Sequence, residues 1–355
     1  MSSEPRTIHA YACFGKSEEV KPWEYESRPL SPEDIEIKIS HCGICGSDIH
    51  TIDSGWGPSI YPCVVGHEIV GEVTLAGDKV KGMKVGDRVG VGAQAWACLN
   101  KDQKDPCKEC AGGDDAYCSR RVWTYGDTYL NDMAMSYGGY ADYVRVAHEY
   151  AFKIPDNLPS DAVAPLLCAG ATVFTPLKEA GVEPGKRVGV VGIGGLGHLA
   201  IQFAKAMGAD AVVAFSRSAN KEKEVRDLGA TNFVVYTDEK QALAAEKSVD
   251  VLVICANADN MPYGLFLSFL AVRGSCIMVG LPNDDVKFNA FGIVEKGAKF
   301  VGSNIGSIQD IKDMLEVASK ENVRAVIQKL PMSQANEGIK MVRDGTVRYR
   351  VVLEN

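Results

Sequence analysis

The sequence predicts an α/β protein of two unlike parts: a β-rich portion over residues 1–157 and a doubly wound parallel sheet over residues 158–302, followed by a tail over residues 303–355. Three observations carry this. The first part is built of short, alternating β-branched runs broken by Gly, Pro and Asp. A stretch with two prolines, Ile154-Pro-Asp-Asn-Leu-Pro159, marks the place where the pattern changes. From Arg187 onward, wholly apolar runs alternate with amphipathic segments. With 355 residues, 46% of them hydrophobic, the chain exceeds one ordinary domain and can bury more than one core.

In chain order, Ile35–Ile39 alternates apolar with polar residues, the period of a half-buried strand, and Val85–Val89, with a valine at each end, reads as a second short strand. Beyond the junction, Val188–Val191, Ala211–Phe215, Phe233–Val235, Val249–Ile254 and Cys276–Val279 read as buried strands. Leu196–Met207, Lys221–Leu228 and Met261–Leu270 read as the helices between them. The tail from about Ser303 carries one clear helix, Ile308–Ser319, and ends in a strand-like Arg348–Leu353. No internal repeat or low-complexity stretch interrupts this order.

A formal charge of −8 argues against a partner bound through a nucleic-acid backbone, which rewards a basic patch. No apolar run approaches the roughly 20 residues of a membrane span, and the first residues lack a charged-then-apolar leader. The expectation is a cytoplasmic protein with neither membrane nor nucleic-acid partners. Eleven cysteines then point to metal or redox roles, because a reducing compartment disfavours structural disulfides.

The strand Val188–Val191 runs into Gly192-Ile-Gly194-Gly195-Leu196-Gly197 and then a helix. In such a turn the first glycine permits the tight bend and the second lets backbone approach a pyrophosphate. The third allows close helix–strand packing with the helix N-terminus facing the anion. About 20 residues on, where an acidic residue would grip the ribose 2′-hydroxyl of NAD, stand Ser216, Arg217 and, a little further, Lys221. Two cations without a carboxylate suit a 2′-phosphate, so the expected cofactor is NADP(H).

Cys98, Cys107, Cys110 and Cys118 place four thiols in one polar loop, the donor set of a closed, structural zinc site. A second set is dispersed: Cys45, His67 and Cys168 could leave an open fourth position of the kind a catalytic zinc requires. Spacing alone leaves open whether these three converge or are plain structural residues.

Cys45-Gly-Ser-Asp-Ile-His50, Gly66-His-Glu68, the Cys-x2-Cys-x7-Cys run at 107–118, Gly138-Gly-Tyr140, Cys168-Ala-Gly-Ala-Thr172, Gly192–Gly197 and Val347-Arg-Tyr-Arg350 occur in one order along nearly the whole chain. In this the chain resembles the cinnamyl alcohol dehydrogenase family of the medium-chain zinc alcohol dehydrogenases, and looks closest to its fungal NADP-dependent members. The resemblance implies a GroES-like catalytic domain, onto which the tail folds back, beside a Rossmann domain. It implies two zinc ions per chain: a catalytic one on Cys45, His67 and Cys168, which Glu68 can approach as an alternative ligand, and a structural one on Cys98, Cys107, Cys110 and Cys118.

It further implies a proton relay through Ser47 and His50, with Asp48 orienting the ligand neighbourhood, and a cofactor contact from Thr172. Trp56, Trp123 and Ile305 match substrate-lining positions, the substrates being aromatic and medium-chain aliphatic aldehydes and alcohols, and the assembly is expected to be a homodimer. One departure stands out: Leu99–Pro106 separates the first two structural cysteines where the family has two residues. Cys13, Cys42, Cys63, Cys255 and Cys276 read as small core hydrophobes. Other readings of the same residues are an NAD-dependent polyol dehydrogenase, a zinc-ribbon interaction module and a zinc-free quinone reductase relative. Ser216-Arg217 and the tryptophans oppose the first, the second metal set opposes the zinc ribbon, and both cysteine sets oppose the reductase.

Overall fold

The computed structural model describes residues 4–130 and 133–355. The chain forms two compact units: one takes residues up to 168 with 307–315 and 324–355, the other residues 169–306 and 316–323. The seam after 157 read from the two prolines therefore lies inside the first unit. Residues 158–168 stay there because Leu158, Val163, Leu166 and Leu167 are buried, and Leu167 packs flush on Gly90, where a Cβ would sit 2.4 Å from its Cδ1.

The first unit is organised on a seven-stranded sheet in the order Ile327–Pro331, Arg350–Glu354, Asp34–Ile44, Ile69–Ala76, Arg88–Val91, Ala151–Lys153, with Tyr143–Ala147 paired to Asp34–Ile44. Ile35, Ile37 and Ile39 point into one core with Ile69, Val73 and Val89, which explains the alternation in the sequence. The tail joins this sheet: Val351 pairs with Ile44 and Leu353 with Cys42.

Two expectations for this unit are corrected. Of Val85–Val89, only Arg88 and Val89 are strand. Gly86 takes φ +88° and the Asp87 carboxylate accepts from the Lys84 N–H at 3.0 Å, so a turn precedes the strand, which begins at Arg88. The tail holds a second helix, Ala335–Arg343, whose Ala335 and Ile339 are buried one turn apart; its many polar residues hide it from a hydrophobicity reading.

The second unit holds a six-stranded parallel sheet in the order Asn232–Val235, Ala211–Ser216, Arg187–Val191, Val249–Ile254, Leu270–Met278, Lys299–Gly302. This doubly wound order reverses direction at Arg187–Val191, which places the strand's C-terminal turn at the topological switch point where such sheets bind ligands. Phe215 and Phe269 stack at 4.4 Å in its core. The helix read over Met261–Leu270 is shorter, Tyr263–Ser268, because the next strand already starts at Leu270. The buried Lys296 ammonium closes that junction, donating to the Leu267, Ser268 and Leu270 carbonyls at 2.9, 2.9 and 3.1 Å.

Among the described residues no single helix is long and apolar enough to cross a membrane. The bent pair Ser160–Leu167 and Ala169–Glu179 reaches that length only in combination, and its Leu166, Leu167, Val173 and Phe174 are buried.

Candidate active site

Strand Asp34–Ile44 delivers Cys45 to the start of a short helix, Gly46–Ile52. Asp48 locks that start: its fully buried carboxylate accepts from the Cys45 N–H at 2.8 Å and from the Gly66 N–H at 3.1 Å. One side chain thus ties the segment bearing Cys45 to the segment bearing His67, and its Oδ1 stands 4.0 Å from His67 Nδ1. Gly66 is required for the same approach. It takes φ +102°, and a Cβ there would fall 2.6 Å from the Tyr140 ring.

These constraints bring together residues far apart in the chain. Cys45 Sγ lies 3.8 Å from Cys168 Sγ, His67 Nε2 lies 3.1 Å from Cys168 Sγ, and the ligand atoms of Cys45, His67, Glu68 and Cys168 all fall within 4.8 Å of one another. Zinc–sulfur bonds of about 2.3 Å in a tetrahedron require sulfur–sulfur edges of about 3.8 Å. The donor set therefore fits a zinc ion in chemistry and spacing.

The electrostatics of these donors favour a cation among them. A hydrogen bond from Cys168 and the nearby His67 charge hold the Cys45 thiol well below the usual thiol range despite burial. Burial pushes the His67 imidazole down, but the Cys45 thiolate overrides it and carries the net value up to about 9. Glu68 is wholly buried; its Oε1 pairs with Arg350, while Oε2 is buried with no hydrogen-bond partner. An unmatched carboxylate oxygen inside a metal donor set is an acceptor for that metal.

Around this set, Ser47 Oγ lies 3.6 Å from Cys45 Sγ. His50 follows three residues later on the same helix, so the two share a face. Three residues near the ligands have no role in the sequence reading. Arg350 neutralises Glu68. Tyr125 stacks on the His67 ring at 5.3 Å, nearly parallel, and its hydroxyl hydrogen-bonds Asp48. Tyr140 donates to Asp48 at 3.4 Å. For Arg350 and Tyr140 the signal was present in the motifs that contain them; for Tyr125 none was.

The other thiol cluster is also assembled. Cys98 lies 3.5 Å from Cys110 and 3.7 Å from Cys118, and Cys107 lies 3.8 Å from Cys118, sulfur to sulfur. The lengthened loop does not carry Cys98 away. Leu99 and Asn100 turn back with φ +45° and +53°, Asn100 Oδ1 accepts from the Cys107 N–H at 2.6 Å, and Arg120 bridges Asp105 to Cys98 Sγ.

In the second unit, Gly192 takes φ +88°, and a Cβ there would strike Ala256; a Cβ on Gly197 would lie 2.1 Å from the Gly192 carbonyl oxygen. A Cβ on Gly194 would meet nothing within 4 Å, so open space lies over that residue. The helix Gly197–Ala206 starts at this turn, after Gly195 and Leu196. Tight packing at the first and third glycines with space over the second is the arrangement a pyrophosphate needs. Ser216 ends its strand and Arg217 is exposed beyond it. The Lys221 ammonium reaches back to the Ile193 carbonyl at 2.7 Å.

The remaining expected residues are dispersed. Thr172 lies on the helix Ala169–Glu179 of the second unit. Trp56 stacks on His50, and Trp123 carries the Arg121 guanidinium 4.6 Å over its ring. Ile305, in the second unit, is buried with φ +49°, a left-handed conformation rare for a β-branched residue.

Known proteins resemble this chain along nearly its whole length. The family described as alcohol dehydrogenase GroES-like domain matches residues 31–156, and zinc-binding dehydrogenase matches residues 195–320. A probable mannitol dehydrogenase of Medicago sativa is 39% identical, covering 100% of this chain and 98% of the relative. A cinnamyl alcohol dehydrogenase structure from Sorghum bicolor superimposes with TM-score 0.92 at 36% identity, covering 98% of each chain. One from Helicobacter pylori, complexed with NADP(H), gives TM-score 0.88 at 31% identity, covering 99% of this chain and 98% of that one. The two units and the thiol-rich donor sets define a medium-chain, zinc-binding alcohol dehydrogenase, an enzyme that interconverts alcohols and aldehydes. Within that superfamily, the chain belongs to the cinnamyl alcohol dehydrogenase family.

Proposed function

We propose that this enzyme is an NADP(H)-dependent alcohol dehydrogenase and aldehyde reductase acting on cinnamyl-type aromatic and medium-chain aliphatic substrates, with two zinc ions per chain. The observation that carries the reading is the convergence of Cys45, His67, Glu68 and Cys168 on one point. Cys45, His67 and Cys168 would hold the catalytic zinc, with Glu68 as the exchangeable fourth ligand, and Cys98, Cys107, Cys110 and Cys118 the structural zinc.

When bound, the catalytic zinc supplies Lewis-acid polarisation of the substrate oxygen and the reduced nicotinamide supplies the hydride. The protein does the rest. Burial pushes the Glu68 carboxyl up to about 7 against the opposing pull of the Arg350 guanidinium, whose ion pair restrains it beside the donor set. Asp48 fixes the backbone on both sides of the site. Ser47 Oγ exchanges the proton with the substrate oxygen, and His50 carries it outward. Gly192, Gly194, Gly195, Leu196 and Gly197 would form the pyrophosphate turn, Ser216, Arg217 and Lys221 would meet the 2′-phosphate, and Thr172 would contact the cofactor. Trp123 and Ile305 would contribute to substrate selection.

The test is reduction of cinnamaldehyde, benzaldehyde and linear aldehydes with NADPH against NADH, before and after zinc chelation. Turnover with NADPH that chelation abolishes is the expected result; equal use of NADH, or activity untouched by chelation, would overturn the reading. A second reading, polyol oxidation, is favoured by the mannitol dehydrogenase names among the relatives; mannitol oxidised with NAD⁺ in preference to NADP⁺ would select it. We also propose a homodimer joined near 276–281 and 300–303, since strand Lys299–Gly302 pairs on one side only among the described residues and Leu281 and Val301 are exposed. A monomer mass by light scattering would reject it.

A further inference from the structure

We propose that Trp56 is a positioning residue for His50, its indole face fixing the plane of the imidazole at the outer end of the proton relay. The two rings stand 4.4 Å apart and 14° from parallel, a face-to-face stack. Trp56 remains 53% exposed, and among the described residues its aromatic contact is with His50. Burial of an apolar surface is therefore a poor account of why the largest side chain is placed there.

The loop between them is built to make this contact. After the helix ends, the Gly55 N–H donates to the His50 carbonyl at 2.7 Å, turning the chain back over its own last turn. A Cβ on Gly55 would lie 2.8 Å from His50 Nδ1, so the backbone runs flush with that edge of the ring. The far side of the loop is pinned to the same helix. Ser59 Oγ donates to the Thr51 carbonyl at 2.6 Å, the Tyr61 hydroxyl donates to the Ile52 carbonyl at 2.9 Å, and Ser54 Oγ joins both Tyr61 and the Ser59 N–H. Arg343 anchors Asp53 at 2.6 Å from the helix Ala335–Arg343.

Trp56 thus holds one face of the imidazole while the Gly55 backbone closes the Nδ1 edge. An imidazole's second torsion is otherwise broad, and proton transfer needs the ring nitrogen held within hydrogen-bond reach of its partner. A fixed plane converts a free rotor into an aimed donor and acceptor.

This inference rests on the reading of His50 as relay, and the experiment separates the two. Trp56→Ala, Trp56→Phe, His50→Ala and the double variant Trp56→Ala/His50→Ala are compared for kcat, KM and zinc content with cinnamaldehyde and NADPH. Trp56→Ala is expected to lower kcat by about three- to tenfold, the scale of one aromatic stack, with KM moved less than about twofold and zinc unchanged. Trp56→Phe, which keeps a stacking face, restores most of the loss. On the His50→Ala background the tryptophan substitution has no further effect, because the ring it positions is gone. A raised KM with unchanged kcat, or losses that add in the double variant, would show that the indole serves the substrate and overturn the inference. If His50→Ala itself leaves kcat unchanged, the relay fails and this inference falls with it; if His50→Ala is impaired while Trp56→Ala is not, the inference alone falls.

Discussion

Arg217 and Lys221 are the two cations proposed for a 2′-phosphate, yet the structure gives them different work. Arg217 is exposed at the end of strand Ala211–Ser216, and its backbone is secured by Thr237 Oγ1 donating to its carbonyl at 2.9 Å. Its guanidinium can be removed without disturbing the strand. Lys221 instead spends a hydrogen bond at 2.7 Å on the Ile193 carbonyl, inside the glycine turn. A charge-assisted contact to phosphate is worth about 1.5–3 kcal/mol, so Arg217→Ala is expected to weaken NADPH about 10- to 150-fold and leave NADH within about twofold. Lys221→Met loosens the turn that both cofactors share. It is expected to weaken NADPH and NADH alike by about two- to tenfold, the worth of one ordinary hydrogen bond, with any further NADPH loss measuring the ammonium's own contact. Fluorescence titration of each variant with both reduced cofactors gives the four ratios. Equal losses of NADPH and NADH on Arg217→Ala would refute the assignment of the 2′-phosphate to that side chain, and NADH binding untouched by Lys221→Met would refute the turn-bracing role.

Two further outcomes are expected. Cys107→Ser should reduce zinc from two to one per chain by elemental analysis and lower thermal stability, since metal binding at such a site contributes to folding; about one zinc in both proteins would reject the second site. Asp250 accepts from the Arg187 guanidinium at 3.0 and 2.8 Å and from its N–H at 2.9 Å, and that arginine holds the carboxyl below the usual carboxylate range. A lowered folded-state value stabilises the protein above the unfolded carboxylate's titration near about 3.9 and is lost as pH falls through the folded value. Asp250→Asn should therefore cost stability at neutral pH and flatten the acid limb of a denaturation-against-pH profile; an unchanged limb would contradict the linkage.

What could be read from the chain followed from locality. Val249–Ile254 is a strand over the same residues in sequence and structure because a strand covered on both faces is a continuous apolar run. Helix Ala335–Arg343 was not legible, since only one narrow stripe of it is buried. Val85 misled because it is β-branched, as strand residues often are, yet it stands exposed in a turn closed by Gly86 at φ +88°.

The same contrast divides the sites. Four thiols between 98 and 118 lie in one loop, and the glycine turn sits between its strand and helix, so the sequence by itself determined that these segments carry a metal donor set and a dinucleotide signature. Cys45 and Cys168 are 123 residues apart in sequence and 3.8 Å apart in space. That closure depends on Asp48 reaching the Gly66 backbone and on segment 158–168 packing against Gly90. Motif order could suggest it by resemblance, but only the tertiary structure decided it. Arg350 beside Glu68, Tyr125 on His67 and Trp56 on His50 belong to the same class. Each is a contact fixed by the angle at which a loop or strand returns, and no periodicity or spacing along a chain encodes that angle.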